Sequence, residues 1–291
     1  MMSATITPEL RADVLVEAIP YLARFAGSRI VVKYGGNALA DADEERALRS
    51  FAEDVLALRS VGVLPVVVHG GGPQIGEMMQ RLGMEPEFRD GLRVTDAATL
   101  DVARMVLVGK VNREIVGAIN AKRPVAVGLS GEDAGLIGAT RRFPDIGFVG
   151  DVNAVDTTIL DHLLLGGFVP VVATIGTDAS GQAYNINADT VAGALARALS
   201  AEKLIFLTDV TGIRSDRDDP TSVVSALGSA DLEQLIANGT VNAGMIPKAQ
   251  ACADAVRGGV ASAHILDGRV AHALLVELFS EVGIGTMVVD Q

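Results

Sequence analysis

The sequence predicts an α/β protein built on a mainly parallel sheet, with a helical extension ahead of the first strand. Three observations point there. Short β-branched apolar runs alternate with segments of helical period, as at 29–33, 44–59 and 63–69, which is the pattern of right-handed βαβ units. Two of those runs leave directly into glycine turns. Hydrophobic residues make up 49% of the 291 positions and glycines number 32, as suits strands buried on both faces and joined by tight turns. The length allows one large domain or two modest lobes around a substantial core.

Composition excludes several function classes. A net charge of −12 argues against an electrostatic grip on nucleic acid or on an anionic membrane. An acidic chain that binds an anionic substrate must gather its few cations in one place. Cys252 is the single cysteine, so no internal disulfide forms, which fits a reducing cytoplasm. The start carries no charged-then-apolar signal pattern, and no apolar run reaches membrane-spanning length. A soluble, cytoplasmic protein is expected.

In chain order, residues 9–25 place Leu10, Val14, Ala18, Leu22 and Phe25 on one helical face, with a bend expected at Pro20. This segment either caps its own domain or is an arm exchanged with a partner subunit. The run 29–33 ends in Lys33, followed by Tyr34-Gly35-Gly36-Asn37. Burying an unpaired ammonium is costly, so a lysine ending a strand is expected to face a ligand cleft. The run 63–69 ends in His69, then Gly70-Gly71-Gly72-Pro73. Pro73 suits a first helical position, the glycines let a ligand approach the backbone, and the free N–H groups of the helix start can hold an anion. The spacing is neither G-x-G-x-x-G nor G-x-x-x-x-G-K-[ST].

Arg93, in Gly91-Leu92-Arg93-Val94-Thr95, precedes a long helical stripe over 96–121 (Leu100, Ala103, Leu107, Val111, Ile115, Ile119). Its planar guanidinium can hold a carboxylate through two hydrogen bonds. A strand over 124–129 ends in Ser130-Gly131-Glu132-Asp133, a short antiparallel excursion is expected at 146–152, and a buried strand at 168–174. Asp178-Ala179-Ser180-Gly181 reads as a hairpin turn. Asn185-Ile186-Asn187-Ala188-Asp189 opens a helix to about residue 200; capping needs one of the three polar residues, leaving two for other work. The strand 204–207 exits through Thr208 to Ile213, and 214–222 reads as an exposed loop. Lys248 sits at the start of a helix over 248–257, where the macrodipole disfavours a cation; an anion placed between them resolves the conflict. Strands at 264–266 and 286–289 close the chain.

The four histidines (His69, His162, His264, His272) lack metal-ligand spacing, and no G-x-S-x-G elbow occurs. Glycine turns and lysines converging on an anionic ligand fit phosphoryl transfer, which needs positioning and charge cancellation more than covalent help.

Six motifs then stand in a familiar order: Lys33-Tyr34-Gly35-Gly36-Asn37, His69-Gly70-Gly71-Gly72-Pro73, Gly91-Leu92-Arg93-Val94-Thr95, Asn185-Ile186-Asn187-Ala188-Asp189, Leu207-Thr208-Asp209-Val210-Thr211-Gly212 and Gly244-Met245-Ile246-Pro247-Lys248. From about residue 9 onward the chain resembles the amino acid kinase family, and within it the acetylglutamate kinases. The resemblance implies a three-layer αβα sandwich around an open sheet. It divides the chain into an arm over 1–28 and a kinase domain over 29–291, with an acetylglutamate lobe at 29–176 and a nucleotide lobe at 177–291. The implied partners are N-acetyl-L-glutamate and ATP with Mg²⁺ carried on the nucleotide, and the implied product is an intermediate of arginine biosynthesis.

By the same resemblance, Lys33 and Lys248 stabilise the transferring phosphoryl group, Asp189 holds the two ammonium groups, and Gly36 and Gly71 offer it N–H groups. Gly71, Gly72, Arg93 and Asn185 bind acetylglutamate. Asp209, Val210, Thr211, Gly212, Ile213, Arg214, Asn242, Gly244 and Met245 shape the nucleotide pocket. The arm and the segment from His264 to Thr286 resemble those of arginine-inhibited members, which implies a homohexamer or homodimer and an arginine site using Lys203, His264, Glu277 and Gly285. The chain departs from the family at Glu132-Asp133-Ala134-Gly135, where Lys-Asp-Gly-Gly is frequent, so that loop is assigned no catalytic role. Kinases of glutamate, aspartate or carbamate, and a non-catalytic arginine-sensing protein, are the alternatives.

Overall fold

The structure is a computed structural model and describes residues 7–35, 44–216, 218–219 and 221–290. In chain order the elements are α1 (Pro8–Phe25), β1 (Arg29–Tyr34), α2 (Glu44–Ser60), β2 (Leu64–His69), α3 (Gly72–Arg81), β3 (Phe88–Arg89), β4 (Leu92–Arg93) and α4 (Ala97–Arg104). A π-helical segment (Met105–Val111) joins α4 to α5 (Asn112–Asn120). Then follow β5 (Ala126–Ser130), β6 (Ile137–Arg141), β7 (Val149–Val155), α6 (Thr158–Leu165), β8 (Val169–Ala173), β9 (Ile175–Thr177), β10 (Ala183–Ile186), α7 (Ala188–Ala198) and β11 (Lys203–Thr208). The chain ends with β12 (Ala226–Gly228), α8 (Ser229–Ala237), α9 (Ile246–Arg257), β13 (Ser262–Asp267), α10 (Ala273–Phe279) and β14 (Thr286–Val289).

Eight strands form one sheet in the order β12-β14-β13-β11-β1-β2-β8-β5. Every neighbouring pair is parallel except β13 with β14. The central strands are mostly apolar, with polar residues near their ends, because both of their faces are covered. On one face Ile30, Val32, Val67, Ile205 and Leu207 pack with Phe51, Val55, Ile75, Ile115 and Leu274 from α2, α3, α5 and α10. On the other, Val31, Val66, Val68, Leu204 and Phe206 pack with Leu160, Val191, Leu195, Leu232 and Cys252 from α6, α7, α8 and α9. Period-two alternation along each strand therefore feeds two separate cores, and the three-layer sandwich expected from the family resemblance is what forms.

The excursion expected at 146–152 is more than a local hairpin. Strand β7 runs antiparallel to β6 but parallel to β10, and β6, β7, β9 and β10 close into a small ring. The hairpin turn at Asp178 is present: the Asp178 carboxylate accepts from the N–H groups of Ser180 and Gln182, and Gly181 takes the positive φ of 82° the turn demands. Ring strand β10 delivers the chain directly to the start of α7.

The long helix expected over 96–121 keeps its apolar stripe buried but carries the π-helical segment in the middle. Helix α1 is continuous through Pro20, and along it Leu10, Val14, Leu15, Val16 and Ile19 are exposed while Phe25 is buried. Among the described residues, no helix is long and apolar enough to cross a membrane.

Candidate active site

Strands β11, β1 and β2 lie side by side, and the chain order changes direction between β11 and β1. Such a switch point leaves a crevice at the carboxyl ends of the strands. Lys33 comes from the end of β1, His69 from the end of β2, and Thr208 with Asp209 from the exit of β11. A cavity of about 380 Å³ opens there, and its walls include Lys33, Gly35, Gly70, Gly71, Gly72, Arg93, Asn185, Asp189, Asp209 and Lys248.

At its floor, Lys33 Nζ lies 2.8 Å from Asp189 Oδ1, and Lys248 Nζ donates to Asp189 Oδ2 at 3.0 Å. Lys33 and Asp189 are only 6% and 4% exposed, so this is a cation–anion–cation row with one net positive charge, buried at Lys33 and Asp189 and half-buried at Lys248. Local sequence explains the placement. Asn187 caps α7 by accepting from the N–H groups of Asp189 and Thr190, which leaves the Asp189 carboxylate free for the lysines while it sits at the favourable positive end of the helix. Lys248 stands in the first turn of α9, just after Pro247. Burial alone would raise the Asp189 pKa, but the charges of Lys33 and Lys248 hold it below the ordinary carboxylate value. Burial also draws the Lys33 ammonium below its usual value even with Asp189 beside it.

The glycine turn lines the same cavity from the end of the neighbouring strand β2. Gly71 is the N-cap of α3, and a Cβ added to it would lie 2.8 Å from Leu107 Cδ2; the turn is pressed against the π-helical segment. Gly35 follows Lys33 with equally little room, since a Cβ would meet the Leu207 carbonyl oxygen at 2.7 Å. Gly36 lies outside the described residues. Arg93 is locked by donating from Nη2 to the Gly72 carbonyl at 2.8 Å and by lying 4.7 Å from the centre of the Phe88 ring. Asn185 reaches Thr95 Oγ1 at 3.4 Å, and Thr95 in turn donates to the Arg93 carbonyl.

A second hollow of about 70 Å³ is lined by Val210, Gly212, Ile213, Arg214, Asn242 and Met245, with Thr240 and Val241. Thus most of the residues expected around a nucleotide share one wall, while Asp209 turns to the main cavity and Thr211 and Gly244 line neither. Among the described residues no cluster of three or more His, Cys, Asp or Glu could hold a metal ion. Asp209 stands on the cavity wall beside the lysines, and Mg²⁺ bound mainly through phosphates asks for no more than one or two carboxylates.

Lys203, His264, Glu277 and Gly285 form a separate group. Lys203 Nζ donates to Ser262 Oγ at 3.1 Å and contacts His264 Nε2 at 2.8 Å, and His264 Nδ1 meets Glu277 Oε1 at 2.6 Å. Glu277 Oε2 accepts from the Ile284 N–H, and Gly285 packs so closely on the Ile265 carbonyl that a Cβ would lie at 2.2 Å. Burial pulls the Lys203 ammonium down to about 8. The loop after β5 is occupied locally: Asp133 caps the Ser130 N–H and Glu132 pairs with Arg104.

Sequence reasoning missed Phe88, which braces Arg93, and the buried pair His69 and Asn112 behind the glycine turn. The signal for the first was faint, a lone aromatic before Gly91. For the second it was His69 itself, an imidazole at the end of a fully apolar run.

Comparisons with known proteins give the family. The amino acid kinase family matches residues 28–267. The acetylglutamate kinase of Symbiobacterium thermophilum is 54% identical over 288 residues, covering 96% of this chain and 97% of that relative. That of Synechococcus sp. is 55% identical over 284 residues, covering 97% and 96%. Among solved structures, an N-acetylglutamate synthase from Neisseria gonorrhoeae, in complex with coenzyme A and N-acetylglutamate, superposes with a TM-score of 0.84 at 25% identity over 96% of this chain. This chain spans 63% of the length of that one. A carbamate kinase from Giardia lamblia shares the fold at a TM-score of 0.67 and 16% identity, covering 91% of this chain and 99% of that one. With a lysine–aspartate–lysine row and a glycine turn lining one cavity, and such identity along nearly its whole length, this chain belongs to the amino acid kinase family and, within it, to the acetylglutamate kinases.

Proposed function

We propose that the chain transfers the terminal phosphoryl group of ATP to the side-chain carboxylate of N-acetyl-L-glutamate, making N-acetylglutamyl 5-phosphate for arginine biosynthesis. The observation that carries the assignment of roles is the Lys33–Asp189–Lys248 row on the floor of the cavity. A γ-carboxylate has an ordinary pKa near 4.3 and arrives ionised at neutral pH, so no general base is needed. The obstacle is repulsion between that carboxylate and the phosphates. Each ammonium about 4 Å from the reacting oxygens is worth on the order of 4 kcal/mol at an effective dielectric near 20, before desolvation.

Lys33 and Lys248 therefore stabilise the phosphoryl group in flight, with Asp189 fixing their separation. The Gly71 N–H adds a donor from the glycine turn. Arg93 holds the α-carboxylate of acetylglutamate, with Gly72 and Asn185 completing that end. The hollow lined by Val210 to Arg214, Asn242 and Met245 takes the nucleotide. Mg²⁺ carried on the nucleotide would supply charge neutralisation on the leaving group, and Asp209, on the cavity wall, would be the carboxylate to hold it.

The lobes at 29–176 and 177–291 differ in what they hold rather than in separate cores, since each core draws on both. The exposed apolar side chains of α1 support its use as an arm between subunits, in a homodimer or homohexamer. The buried Lys203–His264–Glu277 group, next to that arm through the Lys203 contact with the Phe25 ring at 5.4 Å, supports an arginine site and feedback inhibition. The location is cytoplasmic.

The test is ADP release that depends on N-acetylglutamate, with glutamate, aspartate and carbamate as comparison substrates. Lys33→Ala or Lys248→Ala lowers kcat by at least ~10²-fold, the scale of losing one transition-state donor. Near-parental kcat in either variant removes the proposed roles. Millimolar arginine raises the apparent KM or lowers the rate; Glu277→Gln removes that response. A rate indifferent to arginine argues against the regulatory site.

A further inference from the structure

The ring of His69 is fully buried immediately before the glycine turn, and its two nitrogens are placed differently. Nε2 lies 3.1 Å from Asn112 Nδ2, and Nδ1 lies 3.0 Å from the Gly70 carbonyl oxygen. Asn112, also fully buried, gives Nδ2 to the Val171 carbonyl at 2.8 Å. A carbonyl can only accept, and Asn112 Oδ1 accepts from Arg113 Nη2, so that atom of Asn112 is the amide nitrogen. Of the two acceptors left for its other hydrogen, His69 Nε2 at 3.1 Å is nearer than the Leu129 carbonyl at 3.4 Å and takes it. Nε2 is then the unprotonated nitrogen, and Nδ1–H donates to Gly70. Both nitrogens are satisfied in a neutral imidazole.

The Gly70 carbonyl shares a planar peptide with the Gly71 N–H. The described chain has no cis peptides, so the two point in opposite directions. A hydrogen bond that fixes the Gly70 carbonyl therefore fixes the Gly71 N–H on the other side of the peptide, and Gly71 is a residue of the cavity wall. The π-helical segment backs the same turn. Leu107 and Val111 fill the space that a Gly71 side chain would need, and the next residue after the segment is Asn112. Wide helical turns of this kind recur at functional sites.

We propose that His69 and Asn112 are positioning residues for phosphoryl transfer: Asn112 fixes the imidazole as its Nδ1–H form, and that N–H anchors the Gly70 carbonyl and so aims the Gly71 N–H at the moving phosphoryl group. The inference rests on the reading of Gly71 as a donor to that group. Neither residue touches substrate. Their effect is confined to the angle of one donor, which matters most when charge develops on the phosphoryl oxygens.

The experiment compares His69→Leu, His69→Asn, Asn112→Ala and Lys33→Ala, with kcat and both KM values from ADP release and folding followed by thermal melting. An asparagine amide carries an N–H near the position of Nδ1, and leucine carries none. Expected is a loss of kcat of about 10- to 100-fold in His69→Leu, less than the 10²- to 10³-fold of deleting a donor outright, with KM for acetylglutamate and ATP within about 3-fold. His69→Asn recovers most of that loss, and Asn112→Ala shows the same kcat-specific defect, which serves if the leucine variant does not fold. Folded His69→Leu or Asn112→Ala with kcat within about 2-fold of the parent, or His69→Asn no better than His69→Leu, overturns the positioning role. If Lys33→Ala is inactive in the same series, the kinase site itself stands; an active Lys33→Ala brings down the underlying reading instead.

Discussion

Replacing Asp189 by asparagine tests the floor of the site most directly. The change keeps the shape and the capping geometry from Asn187 but removes the one anion between two ammonium groups 2.8 and 3.0 Å from its oxygens. At an effective dielectric near 20, each contact of about 3 Å amounts to about 5 kcal/mol of attraction before desolvation. Desolvation cancels much of it, and breaking a buried pair by removing one partner costs about 3–5 kcal/mol in practice. At an unfolding entropy of about 2.1 cal/mol/K per residue, that corresponds for a chain of this size to a fall in Tm of roughly 5–8 °C. Turnover falls by at least ~10²-fold, because Lys33 and Lys248 lose the strut that sets their separation. ATP, which brings its own negative charge, restores part of the lost Tm, so nucleotide-induced stabilisation is larger in the variant than in the parent.

The pH dependence has a definite sign. The Asp189 pKa lies below its ordinary value in the fold, so its contribution is present above about pH 4 and disappears as acid protonates the folded carboxyl. Parent and variant should therefore converge in stability toward acid. The assays are thermal melting by circular dichroism from pH 3 to 8, with and without ATP, and ADP release at neutral pH. A variant melting within about 2 °C of the parent, with turnover within about 3-fold, refutes the view of Asp189 as the strut.

Other perturbations follow from the same geometry. Gly35→Ala drives a methyl into the Leu207 carbonyl at 2.7 Å and so shifts the end of β1; kcat drops by at least ~10-fold while overall folding, followed by circular dichroism, persists. Arg93→Lys loses the planar fork that is already oriented by Gly72 and Phe88, so KM for acetylglutamate rises by about 10-fold or more with KM for ATP little changed. Lys203 has a folded pKa of about 8 against about 10.4 when unfolded, so the unfolded chain holds more protons between those values. Its contribution to stability improves as pH rises from about 8 to 10, a trend that denaturant melts show in the parent and lose in Lys203→Met. Cys252 is fully buried, and burial pushes its thiol far up; a thiol reagent labels it only after denaturation, and rapid labelling of the native protein contradicts the packing around α9.

The legible parts of the site were those in which local chemistry conflicted with local structure. A lysine at the end of an apolar strand and a lysine at a helix N-terminus each called for an anion, and both anions turn out to be Asp189. Three polar residues at the start of α7 were more than capping could use; Asn187 caps, and Asp189 is the surplus. The small closed ring was not legible, because pairing of β6 with both β7 and β9 is a long-range choice that no short segment encodes.

The π-helical segment left a trace that went unread. Ala103, Leu107, Val111, Ile115 and Ile119 recur at every fourth position, and each such step overshoots a turn by about 40°. Four steps would carry the stripe about 160° around a straight α-helix, yet all five residues are buried, which requires wider turns somewhere along the way. The acid-capped loop after Ser130 and the exposed face of α1 were visible as sequence but ambiguous in use.

Strand β1 pairs on one side with β2, close in the chain, and on the other with β11, through Lys33 opposite Phe206. About 170 residues separate those two positions, which at roughly 5–20 residues per second of synthesis is about 9–35 seconds. During that interval the nascent half-sheet presents a bare, strongly apolar border carrying the very lysine on which activity depends. The working centre is thus a seam sewn late, and the newborn chain is exposed to misassociation at the place where the finished enzyme is sheltered.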